Sequence, residues 1–354
     1  NKGYNVFMIA AYNPSVEVIT FLYEKFKDEI DIDIKNYSGY NAFMIAAYNS
    51  NVEIIKFLYE NCKDTIETNI QNKNGDDVFM IAAYNPNVEV ITFLYENFKN
   101  EINIDIQNNK GYNLFMIAAS TSNAEVITFL YEKFQGTFNV NKQNKNGDTL
   151  FMIAAYNPNV EIITFVYETL KDLISFTKRN AKGDNAFMVA VKNENIDVIK
   201  YIYEHCQECK NTIKINDTNK KGNTAFMLAA SNINVEMITY LYTTFKDTID
   251  ISIQNNNKDT ALMIAVLNSN IDVIMYLYNT FKDTIDINKQ NKYGDTALML
   301  AAWNNTNDKV LQYLCSVQFK DKIYCNIQNE NGDTAFMLAV QKGNIEILTC
   351  LYEK

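Results

Sequence analysis

The chain has 354 residues, 47% hydrophobic and 21% charged, a composition that excludes disorder. Its formal net charge is −10, and no lysine or arginine cluster supplies the phosphate neutralisation that nucleic-acid binding requires. No run of about 18 apolar residues is present, so no membrane-spanning helix is predicted.

A glycine-centred turn opens the chain at Lys2-Gly3-Tyr4 and returns at Gly39, Gly75, Gly111, Gly147 and Gly183, each 36 residues on. It continues at Gly222 after 39, at Lys258 and Gly294 after 36 each, and at Gly332 after 38. Self-similarity at such a period predicts a solenoid, whose units bury their apolar faces only by stacking. Length alone would suggest two or three domains, but a solenoid grows one unit at a time without enlarging its core. The expectation is therefore a single array of ten units over residues 1–354, with turns at 3, 39, 75, 111, 147, 183, 222, 258, 294 and 332.

The fifth unit shows the elements in order. Gly147 permits positive φ at the turn tip. Thr149 stands where an N-cap belongs, and Phe151-Met152-Ile153-Ala154-Ala155 predicts a short apolar helix. Asn157-Pro158-Asn159 ends it, with the proline in the connection and outside helical interiors. Val160, Ile162, Ile163, Phe165, Val166 and Tyr167 give a second helix a broad apolar face, and an extended return leads to the next turn.

This unit resembles the ankyrin repeat, most closely in Gly294-Asp295-Thr296-Ala297-Leu298-Met299-Leu300-Ala301-Ala302 and Gly332-Asp333-Thr334-Ala335-Phe336-Met337-Leu338-Ala339. Asn87-Val88-Glu89-Val90-Ile91 and Asn344-Ile345-Glu346-Ile347-Leu348 match the family's second helix. The resemblance covers the whole chain and implies an all-α solenoid of helix-turn-helix units joined by short β-hairpin-like turns. Departures from the pattern have physical readings. The family's proline is Ala, Val or Leu. Its histidine is methionine in every unit (Met8, Met44, Met80, Met116, Met152, Met188, Met227, Met263, Met299, Met337), which exchanges a hydrogen bond for adaptable packing. The unit is 36 residues long and not 33, with the extra residues after the second helix, as in Phe26-Lys27-Asp28-Glu29-Ile30-Asp31-Ile32. A longer second helix or outer loop is expected there. Nine asparagines from Asn36 to Asn329 lie three residues before the turn position, and stacked asparagines can bond to one another between units.

The resemblance implies that partners contact the turn tips and the residues after the alanine pair. Those residues include Tyr12, Tyr48, Tyr84, Tyr156 and Trp303 after the alanines, and Tyr4, Tyr40 and Tyr112 after the turn glycine. They would form an aromatic stripe on the concave face, strongest in the first five units, and tyrosine and tryptophan are enriched at binding hot spots. The alternative is that they stack between units and stiffen the array. A second column, Tyr23, Tyr59, Tyr95, Tyr131, Tyr167, Tyr203, Tyr242 and Tyr278, falls on the apolar stripe of the second helix and is expected in the core.

The six cysteines share no periodic position, which favours a reducing compartment and a cytoplasmic setting. His205-Cys206-Gln207-Glu208-Cys209 lacks a second ligand pair for zinc and is read as an insertion loop with incidental cysteines. There is no phosphate-binding Gly-x-x-x-x-Gly-Lys loop and no serine–histidine–acid set, and the chain holds a single histidine. The expectation is no enzyme, no cofactor and no metal. The leading function is a scaffold binding another protein along its concave face. A structural, self-assembling array is the alternative, because the first unit (Phe7, Met8, Ile9, Val18, Ile19, Phe21, Leu22) and the last (Phe336, Met337, Leu338, Ile345, Ile347, Leu348) are as apolar as the interior and could dock head to tail. A regulatory arm of a larger effector or channel is a third. The chain begins inside a turn without an initiator methionine, as a piece of a longer product would.

Overall fold

The computed structural model describes residues 2–27, 29–232, 234–304, 308–315, 323–343 and 345–352. The chain forms two compact units, residues 1–181 and 182–354. In the first, paired helices run Val6–Tyr12 and Val16–Phe26, Ala42–Tyr48 and Val52–Cys62, Val78–Ala83 and Val88–Phe98, Leu114–Ser120 and Ala124–Phe134, and Leu150–Tyr156 and Val160–Leu170. In the second they run Ala186–Lys192 and Ile196–Glu204, Ala225–Ala230 and Val235–Phe245, Ala261–Leu267 and Ile271–Phe281, Ala297–Trp303 and Asp308–Leu314, and Ala335–Lys342 and Ile345–Tyr352. The architecture is an all-α repeat stack; the only β-bridge among the described residues joins Thr218 and Thr224.

Each first helix starts because one side chain satisfies an orphan amide. Asn5, Asn41, Asp77, Asn113 and, as expected, Thr149 accept from the amide of the methionine three residues on. That methionine then points inward. Nine of the column, Met8 to Met299, are at most 2% exposed, beside fully buried alanines such as Ala11 and Ala47. Short alanines bring neighbouring helices close, and the flexible thioether fills what remains. The second helices seal the other side through residues such as Ile54, Ile55 and Leu58. In the first unit the second helices have eleven residues each, three of them ending at Phe26, Phe98 and Phe134, and the residues after Phe26 lie beyond the helix; Asp28 is outside the described residues.

The turn is a tight loop. The Gly39 amide donates to the Asn36 carbonyl at 2.9 Å and the Asn36 amide to the Tyr40 carbonyl at 2.9 Å. Tips are tied across repeats: the Lys145 amide donates to the Lys110 carbonyl at 3.0 Å. Gly111 has φ +80°, and a Cβ there would sit 2.5 Å from the Lys145 nitrogen, so both the dihedral and this cross-repeat bond demand glycine.

The asparagine column crosses between repeats, but not as an asparagine ladder. Each Oδ1 is taken by its own turn: Asn72 Oδ1 accepts from the amides of Asn74 at 2.8 Å and Asp76 at 3.0 Å. Only Nδ2 is left to cross, and it reaches the residue after the preceding turn position. Asn108 donates to Asp76 at 2.7 Å, Asn180 to Asp148 at 2.8 Å, Asn219 to Asp184 at 2.8 Å and Asn291 to Asp259 at 3.1 Å. The one amide–amide pair in this series is Asn255 to Asn223, at 2.9 Å. A second set of asparagines, read from sequence only as helix breakers, also ties repeats together. Asn85 Nδ2 donates to the carbonyls of Ala47, Tyr48 and Asn49 at 2.9, 3.1 and 2.9 Å, capping the C-terminus of the preceding first helix.

Two expectations are corrected. The second tyrosine column is mostly half-buried; only Tyr167 and Tyr278 are in the core. Their hydroxyls need polar partners near the surface, as Tyr23 donates to the Asn61 carbonyl at 3.0 Å, and the rings pack edge-on against the next repeat, as in Tyr23–Phe57 at 5.7 Å and Tyr95–Phe129 at 5.8 Å. The segment after His205 is not a loop. Gln207–Thr212 is a short helix, and Cys206 and Cys209 are buried and joined by a disulfide, so their lack of periodicity did not make them incidental or free.

Candidate partner-binding face

The exposed aromatic positions follow from helix geometry. The residue after the alanine pair is the last of the first helix, turned away from the buried methionine, so its side chain emerges where the stack ends. Tyr12 is 62% exposed, and Tyr48, Tyr84, Tyr156 and Trp303 are also exposed. The turn positions behave differently. Tyr4 is exposed, Tyr40 and Tyr112 are half-buried, and the acids in the same column are drawn in: Asp76, Asp184 and Asp259 are buried. Each of these three acids accepts from the asparagine of the next repeat, as the half-buried Asp148 and Asp295 also do. The column is thus open at Tyr4, half-buried at Tyr40 and Tyr112, and closed at these acids.

In the N-terminal unit the structure brings several predicted residues together. Tyr40, Tyr48 and Tyr84 line a depression of about 460 Å³ with Asp76, Asn108 and the exposed Lys73 and Lys110. Burial, then the Asp76 carboxylate, raises the Tyr40 hydroxyl; the same two causes push Tyr84 up to about 12. Tyr112 is raised by burial and by Asp148. All three phenols therefore stay neutral across the physiological range. Tyr4 adjoins Tyr40, and Tyr112 adjoins Tyr84. Tyr12 and Tyr156 hold the same repeat position on the flanking repeats. The residues that sequence reading did not assign to the site are Asp76, Lys73, Asn108 and Lys110. Their signal was an aspartate among tyrosines in the post-glycine column, visible only once burial is known.

Trp303 lies in the C-terminal unit. It lines a smaller depression of about 190 Å³ with Asp295, Asp333 and Gln341, and the Lys342 ammonium sits 3.7 Å from its ring centroid. In the same unit Lys192, at a post-alanine position, pairs with Asp184. Among the described residues no group of three His, Cys, Asp or Glu side chains gathers as metal ligands would, and no helix is long and apolar enough to cross a membrane.

A family model described as ankyrin repeats, three copies, matches seven overlapping segments: residues 1–72, 62–138, 134–215, 151–255, 207–291, 244–325 and 278–354. The chain belongs to the ankyrin-repeat family. No curated protein matches it. Ankyrin repeats are in general protein–protein interaction modules and are typically not enzymes.

Proposed function

We propose that this chain is a scaffold that binds another protein through the tyrosine-bearing face of its N-terminal unit. The observation that carries this reading is the exposure of Tyr12, Tyr48, Tyr84 and Tyr156. Among the described residues they take no part in the aromatic pairs that tie repeats together, which draw on second-helix rings and first-helix phenylalanines such as Phe43. Rings held at regular spacing and left open are rigid anchors with little entropy to lose on binding. A stiffening role would have them packed against one another. The chemistry is recognition alone, with no catalytic group and no cofactor in the proposal. The cytoplasmic setting expected from the unpatterned cysteines is set against the Cys206–Cys209 disulfide, and localising the tagged full-length gene product decides it.

The test is a random-peptide display selection on the immobilised chain. Enriched peptides should lose binding when Tyr12, Tyr48 and Tyr84 are replaced by alanine, by about 2 kcal/mol or more, with the helical circular-dichroism signal unchanged. Peptides that bind the parent and the triple variant equally would place recognition elsewhere.

A second reading, self-assembly, is favoured by the terminal repeats. Ile9 is 58% exposed where its counterpart Ile45 is 3% exposed, and Met337 is 47% exposed although every earlier methionine of its column is buried. Each end thus presents the face that a further repeat covers elsewhere in the stack; the side chain of Ile347 is outside the described residues. Head-to-tail seating of a second copy on these faces gives open filaments. Light scattering that grows with concentration supports it, and a strict monomer at high concentration rejects it.

A further inference from the structure

In the C-terminal unit two lysines meet the counterparts of the residues that build the tyrosine face: Lys192 stands at a post-alanine position itself, and Lys342 reaches one from the residue after Gln341. Lys192, at the post-alanine position of its repeat, pairs with the post-glycine acid Asp184, which is 1% exposed. Lys342 lies over the ring of Trp303, another post-alanine residue. A buried post-glycine carboxylate and a post-alanine aromatic thus each hold an ammonium group in this protein.

In the N-terminal unit both features meet in one depression, and neither lysine that lines it, Lys73 or Lys110, forms an ion pair with its carboxylate. Asp76 is buried and accepts Nδ2 of Asn108 and, at 3.4 Å, Nδ2 of Asn72; among the described residues it forms no ion pair. A carboxylate has about four lone-pair sites, so two remain for a further donor. Tyr40, Tyr48 and Tyr84 line the same depression. Resting on the binding-face reading above, we infer that this depression takes the lysine side chain of a basic segment in the partner protein.

The ammonium would sit against Asp76 as Lys192 sits against Asp184. The tyrosine faces would stabilise it by cation–π attraction, which operates within about 6 Å of a ring centroid. The neutral phenols can also accept part of its hydrogen bonding. Lys73 and Lys110 also line the depression, but they are exposed and on flexible stems, so their charges can swing aside, whereas the buried Asp76 carboxylate cannot. The net charge of −10 attracts a basic segment to the surface as a whole. Asp76 is what would hold one lysine in register.

The experiment measures fluorescence anisotropy of labelled hexalysine and hexaglutamate with the full chain. Asp76→Asn should weaken hexalysine binding about tenfold or more, as loss of a buried charge partner does. Folding is protected, because Asn223 holds the equivalent position and accepts from Asn255 at 2.9 Å. Asp172→Asn, at an exposed site, removes the same charge and should leave binding within about twofold, separating the pocket from the general field. Replacing Lys73 and Lys110 by alanine should tighten hexalysine. Equal weakening by both aspartate variants overturns the inference, as does hexaglutamate binding that is lost with the two lysines. Tyrosine-dependent display peptides that contain no basic residue sink the lysine assignment while leaving the binding face standing; binding that ignores the tyrosines removes the face itself.

Discussion

Single polar side chains decide how well each repeat is joined to the next. The crossing asparagine needs an acceptor after the preceding turn, and Asn36 meets Tyr4 there instead. Its Nδ2 is buried without a partner, whereas Asn72 and Asn144 bond to the tyrosines they meet, Tyr40 and Tyr112, and also reach Asp76 and Asp148 of their own turns at 3.4 and 3.5 Å. Tyr4→Asp should therefore supply the missing acceptor and raise stability by about 1 kcal/mol, read as a shift in the denaturant midpoint. Asp77 makes the opposite case. It caps its helix as Asn5, Asn41 and Asn113 cap theirs, but burial pushes its carboxyl up to about 6. The folded state thus holds this proton more tightly than the unfolded chain does. Stability from this group is present below the unfolded value near 4 and is lost as pH rises through about 6. Asp77→Asn keeps the cap and should remove this pH dependence, gaining on the order of 2 kcal/mol at neutral pH. Parallel urea titrations at pH 4.5 and 7.5 check both the sign and the size.

At the scale of elements, the turn and the first helix are built for a neighbour. Gly111→Ala would force an alanine to φ +80° and press its Cβ onto the Lys145 amide, so a loss of about 2 kcal/mol or more is expected. Gly332 has φ +82° but nothing within 4 Å of where an alanine Cβ would stand, and Gly332→Ala should cost only the dihedral, about 1 kcal/mol. Lys258, at φ 58° in the same turn position, shows that a side chain is accepted when the surroundings permit. Equal losses for the two glycines in thermal melts would mean that the cross-repeat contact adds nothing. The helix boundaries themselves were readable from asparagine, threonine and glycine, because capping is local chemistry that a few adjacent residues complete. The half-buried state of the second tyrosine column was not. Apolar spacing marks a face but not how far a long ring on that face reaches toward water.

For the molecule as a whole, the two compact units each hold five of the ten turns, 3 to 147 and 183 to 332. A repeat stack draws its stability from nearest-neighbour contacts, and within residues 1–181 every interior repeat has both of its neighbours. Residues 1–181 expressed alone should therefore give a helical signal and a cooperative melt; a fragment that stays unfolded in circular dichroism would show that its stacking does not suffice.

The sequence by itself determined the family, the repeat, the Thr149 cap, the glycine turns and the buried methionine column, since each is written in local residues or in a spacing of 36 to 39 residues. It also pointed to the tyrosines after the alanine pair. What only the tertiary structure decided is which side of the turn column faces inward. Asp76 and Asp148 read alike in sequence, yet Asp76 is buried under three tyrosines contributed by two different repeats, while Asp148 is half-exposed. The Cys206–Cys209 pairing was likewise settled by folding. Burial is a property of what the neighbouring repeat brings into contact, and no single repeat carries that information in its own residues.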